Sequence, residues 1–237
     1  MTRLGVVAAG GVLALGLGGC QIKRGASVSL VDGKKAFVGK CGSCHVLSRA
    51  GTKGSIGPNL DAAFHNSLGV GIERNTIRGV VNQQILYPEI GGVMPAKLVD
   101  AKLAKDVAAY VAYAADRTGK DTGLLASAVP AAGSGKPAVE TGGSLEIDAD
   151  PSGQLAYVTN VATGKAGPVT VKMANKSGVP HNIAIQQGTN GPILGKSPIV
   201  PNGVATAKVT LKAGTYTYFC QVPGHREAGM IGKLTVK

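Results

Sequence analysis

At 237 residues the chain is long enough for one large domain or two ordinary ones. Trp is absent and aromatic residues make up only 4% of the chain, so any large core must be aliphatic. The 25 basic and 13 acidic residues give a net charge of +12, spread without a basic run or an aromatic–basic platform; that pattern argues against nucleic-acid binding and for a basic face toward an acidic protein partner or anionic lipid headgroups. With only four Cys, four His and four Met, each can be assigned individually.

Met1-Thr2-Arg3 is a short positive segment, followed from Leu4 to Gly16 by an apolar run too short and too Gly-rich to span a bilayer. Leu17-Gly18-Gly19-Cys20 then resembles a bacterial lipobox. The resemblance implies that residues 1–19 are a signal peptide, that Cys20 carries lipid, and that 20–27 is a tether at the outer face of the cytoplasmic membrane, periplasmic or cell-surface. Outside the cytoplasm an odd cysteine needs a metal, a lipid or a thioether to explain it.

The first domain is expected over residues 28–118. Val31–Lys40 reads as a short helix with Gly33 and Phe37 on one face. Cys41-Gly42-Ser43-Cys44-His45 has the C-x-x-C-H spacing that attaches haem c. Two thiols reach the two vinyl groups of one porphyrin, and the adjacent imidazole comes up beneath the iron. A thioredoxin-like dithiol requires no His45, and a zinc knuckle lacks a fourth ligand. Ile72–Gln84 and Leu98–Arg117 follow with helical apolar spacing; in the second, Leu103, Val107, Tyr110, Val111 and Ala114 form one stripe. Met94, in Gly91-Gly92-Val93-Met94-Pro95, lies in a loop where core packing gives no reason for a Met, and His65 reads as a surface residue.

These residues together resemble a class I cytochrome c over nearly the whole segment. The resemblance implies that the Pro58 carbonyl, in Gly57-Pro58-Asn59-Leu60, accepts a hydrogen bond from Nδ1 of the proximal His45. It also implies that Met94 is the distal iron ligand and that Tyr110 packs on the N-terminal helix near Gly33 and Phe37. Ligation by His45 and Met94 fills both axial positions, which favours electron transfer over haem catalysis.

Residues 119–143 are rich in Gly, Ala, Ser and Pro and are expected to be a flexible tether, spanning about 25–30 Å as a random coil. The second domain, 144–237, reads as seven short strands: Ser144–Ala149, Leu155–Val161, Val169–Ala174, Asn182–Gln186, Thr206–Leu211, Thr215–Phe219 and Lys233–Val236. That number of strands suggests a Greek-key sandwich. Between the last two strands, Cys220, His225 and Met230 stand five residues apart. A thiolate, an imidazole and a thioether on one loop are three of the four ligands of a blue-copper site, and His181, 39 residues before Cys220, supplies the second imidazole. Met173 has the spacing of a core residue.

This segment resembles a cupredoxin of the plastocyanin, azurin and auracyanin group across its length, in His181-Asn182 and in the loop from Phe219-Cys220 through Pro223-Gly224-His225 to Gly229-Met230. The resemblance implies that Cys220 is the thiolate ligand, His181 and His225 the imidazoles and Met230 the axial ligand. It implies too that Asn182 ties the ligand loops together, that His225 is partly exposed as the electron exit, and that Val222 and Pro223 form an apolar docking rim. A single Cys on the loop makes the site mononuclear, and with His45, His181 and His225 used only His65 remains, too few for further coppers.

The expected architecture is therefore an all-α cytochrome c fold followed by an all-β cupredoxin sandwich. The expected function is a lipid-anchored electron carrier, not an enzyme, with one haem c and one type 1 copper. It would relay single electrons between redox proteins such as a respiratory complex and a terminal oxidase or reductase. The alternatives are an electron-input subunit of an oxidase or nitrogen-oxide reductase complex, and a copper-delivery protein.

Overall fold

The computed structural model describes residues 27–237. The signal peptide, Cys20 and nearly all of the 20–27 tether lie outside the described residues. Among those described, no helix is long and apolar enough to cross a membrane. A helical half precedes a β half, and each has its own buried apolar core.

In the helical half, α1 (Leu30–Ala36) starts at Ser29, whose hydroxyl caps the Asp32 amide. It runs into a wide π turn, Phe37–Cys41, closed by Gly42 N donating to Phe37 O at 2.8 Å. A small hairpin, β1 (Val46–Leu47) and β2 (Thr52–Lys53), turns at Gly51, which takes a left-handed φ of 76°. Then come α2 (Leu60–Gly69), α3 (Arg74–Leu86) and α4 (Ala101–Ala114).

The crossing of α1 over α4 is the tightest contact. A Cβ at Gly33 would collide with the Asp106 carbonyl and with Tyr110, so only glycine lets the two backbones approach this closely. Phe37 and Tyr110 pack at 6.4 Å between ring centroids, as the family resemblance implies. On α3 only Ile77, Val81 and Ile85 are buried; Val80 is exposed, as is Ile72 ahead of the helix. Helix α2 is missing from the sequence reading; Asn59 caps it by accepting from Asp61 N and Ala62 N.

The β half contains two sheets. One has the order β3 (Ala138–Val139), β5 (Val161–Gly164), β11 (Ile231–Val236), β10 (Gly214–Phe219), β7 (Ala184–Gln187), β8 (Ile193–Lys196). The other has the order β4 (Ser144–Glu146), β6 (Gly167–Asn175), β9 (Gly203–Leu211). Strands β6 and β9 alternate buried and exposed residues along their lengths, so each offers one apolar face to the space between the sheets. Met173 is fully buried there.

Two strand expectations change. Residues 155–160 form bends rather than a strand, because Tyr157 turns into the core and its hydroxyl donates to Asn182 O at 2.7 Å. The strand lies after them, at Val161–Gly164. Strand β8, unpredicted, pairs with β7 across an irregular register. Gly232 faces Tyr218 in the β10–β11 register, and the Tyr218 ring occupies the space a side chain there would need.

The segment 119–143 is not the flexible tether its composition suggests. Its first part packs on the helical half. There a short helix, α5 (Gly123–Ala126), precedes Val129, and Leu125 and Val129 rest on the helical core. Asp121, 1% exposed at its side chain, pairs with Lys34 at 3.0 Å and with Arg49 at 2.7 Å, and accepts from the Tyr110 hydroxyl at 2.8 Å. Burial alone raises this carboxyl, but the hydrogen bonds from Lys34, Tyr110 and Arg49 outweigh it and hold the group below the usual carboxylate range. The second part belongs to the β half, where β3 pairs with β5 and Glu140 binds the Gly143 amide.

Candidate metal centres

Strand β10 carries the chain to Cys220, and the loop beyond it turns through a single helical turn, α6 (His225–Ala228), before β11. Gly224 precedes α6 with φ 80° and Gly229 follows it with φ 116°; these two left-handed positions reverse the chain so that it can return to the sheet. Backbone bonds lock the result. Cys220 N donates to Met230 O at 3.1 Å, and Met230 N donates to His225 O at 2.9 Å. Across the sandwich His181 is held between β6 and β7 by paired backbone bonds with Val200, at 3.0 and 2.9 Å.

The ligating atoms of His181, Cys220 and His225 lie within 4.8 Å of one another. The two Nδ1 atoms are 3.1 Å apart, and His225 Nδ1 is 3.5 Å from Cys220 Sγ. All three side chains are buried, as is that of Met230. Two imidazole nitrogens, one thiolate and one thioether in an apolar enclosure form the donor set that suits type 1 copper. The residues therefore fit the metal.

Asn182 ties the loops as expected. Its Oδ1 accepts from Gln221 N at 2.7 Å, its Nδ2 donates to Gln221 Oε1 at 3.0 Å, and its own backbone N–H points at Cys220 Sγ from 3.5 Å. Such bonds around the ligands fix their orientation. Arg226 shields the loop from the other side, stacking 4.1 Å above the Phe219 ring and donating to Thr189 O. Burial, and then the neighbouring His225, hold the His181 imidazole down at about 4; burial likewise lowers His225 and raises the Cys220 thiol. In the metal-free chain the His181 ring is neutral near pH 7, ready to ligate. Cys220 would hold copper as the thiolate, so binding the metal would release the thiol proton.

One expectation is corrected here. His225 is not a partly exposed ligand; it is 6% exposed. The α6 turn tucks its ring edge-on against His181, with 5.0 Å between centroids. Pro223 is exposed and Val222 is half-buried against the β core.

In the helical half the π turn delivers Cys41, and His45 N donates back to Cys41 O at 2.9 Å, so Cys41, Cys44 and His45 share one tight turn. The loop 54–58 wraps this turn. Gly57 N donates to Cys44 O at 2.8 Å, and His45 Nδ1 lies 2.9 Å from Pro58 O. Gly57 rests on the imidazole itself, since a Cβ there would come 2.5 Å from His45 Cε1. With Nδ1 engaged by a carbonyl, Nε2 is left to ligate. Cys41 and Cys44 are free thiols. Burial, then Cys44, push the Cys41 thiol up to about 12, opposite in direction to the low values of redox-active dithiols. Met94 is half-buried against the helical core. His65 is 69% exposed and sits 2.9 Å from Asp116. Ile56, Val80, Tyr87, Ile90 and Val93 are among the large apolar residues left exposed in this half.

A β-sandwich that encloses a His-Cys-His-Met set in one loop and one neighbouring strand end is a cupredoxin. Residues 144–237 match the family described as copper binding proteins, plastocyanin/azurin family. A rusticyanin of Acidithiobacillus ferrooxidans is 32% identical over 147 residues, covering 59% of this chain and 75% of the relative. A second rusticyanin from that species is 34% identical over 98 residues, and there the chain spans 60% of the relative's length. A chloroplastic plastocyanin of Oryza sativa subsp. indica is 32% identical over 127 residues, 50% of this chain and 77% of the relative. Among solved structures, auracyanin A of Chloroflexus aurantiacus is 29% identical over 43% of this chain and 100% of its own, with a TM-score of 0.35.

The chain belongs to the plastocyanin/azurin family of copper-binding proteins, through its C-terminal half. Its β half is a blue-copper electron-transfer domain with His181, Cys220, His225 and Met230 as the copper site, an electron carrier as its relatives are rather than an enzyme.

Proposed function

We propose that this protein carries a haem c in its helical half beside the copper in its β half, and that it relays single electrons from a lipid anchor at Cys20. The observation that carries the haem is the 2.9 Å contact of His45 Nδ1 with Pro58 O, within a turn that also holds both thiols of C-x-x-C-H. Cys41 and Cys44 would hold the porphyrin as thioethers, His45 would ligate through Nε2, and Met94 would ligate from the opposite side. When bound, the two metals supply one-electron couples. The protein's part is to keep each ligand set closed and rigid, so that little rearranges when charge changes.

At the copper site the buried ligands and the Asn182 bonds serve that rigidity, and they disfavour a delivery role, which requires metal to leave readily. The +12 charge supports acidic redox partners, such as the docking faces of a respiratory complex and a terminal oxidase or reductase. The lipobox resemblance supports a place on the outer face of the cytoplasmic membrane.

Met94→Ala tests the haem assignment. The variant is expected to bind added imidazole at the iron where the parent protein resists it, with the copper band unchanged. Equal imidazole affinity in the two proteins would assign the distal position to another group.

A further inference from the structure

We infer that the outward face of the copper loop is docked on the His45-bearing loop of the same chain, so that the copper ligands exchange electrons with the helical half rather than directly with an external partner. The inference rests on the haem reading above and adds to it the direction in which the copper site opens.

Three contacts carry it. Gly224, the residue before the ligand His225, lies against Ser55; a Cβ on Gly224 would come 3.0 Å from Ser55 Oγ. Two residues beyond Ser55, Gly57 rests on the His45 ring. From one ligand histidine to the other the route is thus His225, Gly224, one contact to Ser55, then Ile56 and Gly57 to His45. The second contact lies further along the copper loop. Ala228 of α6, with Gln154 and Leu155, encloses a cavity of about 30 Å³ against Thr52 and Lys53 of β2, room for one water or so. The third is a backbone-to-backbone contact near the thiols. A Cβ on Gly153 would come 2.6 Å from Gly39 O, and one on Gly39 would come 2.6 Å from Ser152 O; Gly39 stands two residues before Cys41.

The burial of His225 agrees with this arrangement. A ligand that served an outside partner would be reached from solvent, whereas here the residue before it is seated on the helical half. The packed course of residues 119–143 holds the two halves at short range, which makes their encounter intramolecular. An electron that follows the route makes no bond and moves no proton; one centre is oxidised as the other is reduced.

The test uses the full chain and the wedge variant Ser55→Arg. In metal-free protein, amide hydrogen exchange over residues 53–57 and 222–226 should rise together in the variant, by about tenfold or more, while the sheet and α4 are unchanged. In protein loaded with both metals, reduction by a fast pulse should be followed by equilibration between the two absorption bands at a rate independent of protein concentration, and slower in the variant. Exchange that rises only at 53–57, or equilibration whose rate grows with concentration, would overturn the docking. Protein that holds no covalent haem would instead overturn the haem reading, and the exchange experiment still decides the docking. If Ser55→Arg fails to fold, the concentration dependence in the parent protein decides.

Discussion

Cys220→Ser abolishes the blue colour of the copper-loaded protein and leaves the helical half as it was. The colour comes from the copper–thiolate bond, and among the described residues Cys220 is the only thiol near His181 and His225. A serine hydroxyl is a harder and more weakly bound ligand, so copper affinity falls as well. Losing a partner that merely orients a ligand costs roughly 10–100-fold in metal affinity, and losing the thiolate itself should exceed that. The fold should survive, because the Asn182 amide that points at Sγ can donate to a hydroxyl instead. The optical spectrum and a copper titration check both parts. Retained blue colour would show that the thiolate lies elsewhere.

Asp121→Ala destabilises the helical half by about 3–5 kcal/mol, the usual cost of leaving buried charges without a partner. Lys34 and Arg49 are 8% and 12% exposed at their side chains, and Asp121 is the carboxylate that pairs with both, their other partners being the neutral oxygens of Leu125, Thr118 and Tyr113. Tyr110, at the α1–α4 crossing, loses its acceptor too. Against a total stability of about 5–15 kcal/mol such a loss is severe. At roughly 4–8 °C per kcal/mol for a unit of this size, the midpoint followed by the circular dichroism of the helices should fall by more than about 10 °C.

The sign with pH follows from the lowered carboxyl. The contribution of Asp121 is present above the ordinary carboxylate range and is lost as the pH falls through the depressed folded value. Variant and parent should therefore converge in stability in strong acid. A midpoint change of a degree or two at neutral pH would show that the cluster is not what fastens residues 119–129 to the helices.

The copper ligands could be read from the sequence because three of them fall within eleven residues of one loop. Turn chemistry and metal chemistry there point the same way. Gly33, Phe37 and Tyr110 were legible for a related reason, since helical spacing fixes which residues share a face. The Asp121 cluster was not. Its charged partners lie far off in the chain at Lys34 and Arg49, and a Gly- and Ala-rich surrounding is the composition of a tether. Helix α2 did leave a signal, Asn59 directly after Pro58 with apolar Leu60, Phe64 and Leu68 four apart, but no residue of this helix is fully buried and its periodicity is weak. The burial of His225 depends on the α6 turn and on how the loop folds over the ligands. Ligand spacing carries neither.

The pairing of two one-electron centres on one chain is tested most directly by the iron and copper content of the full chain, produced in a host that matures c-type haem and measured after denaturing extraction removes all haem not held by covalent bonds. One retained haem iron and one copper per chain are expected. Copper at one per chain with no retained iron would leave a cupredoxin beside a helical half of some other purpose, and would contradict the account.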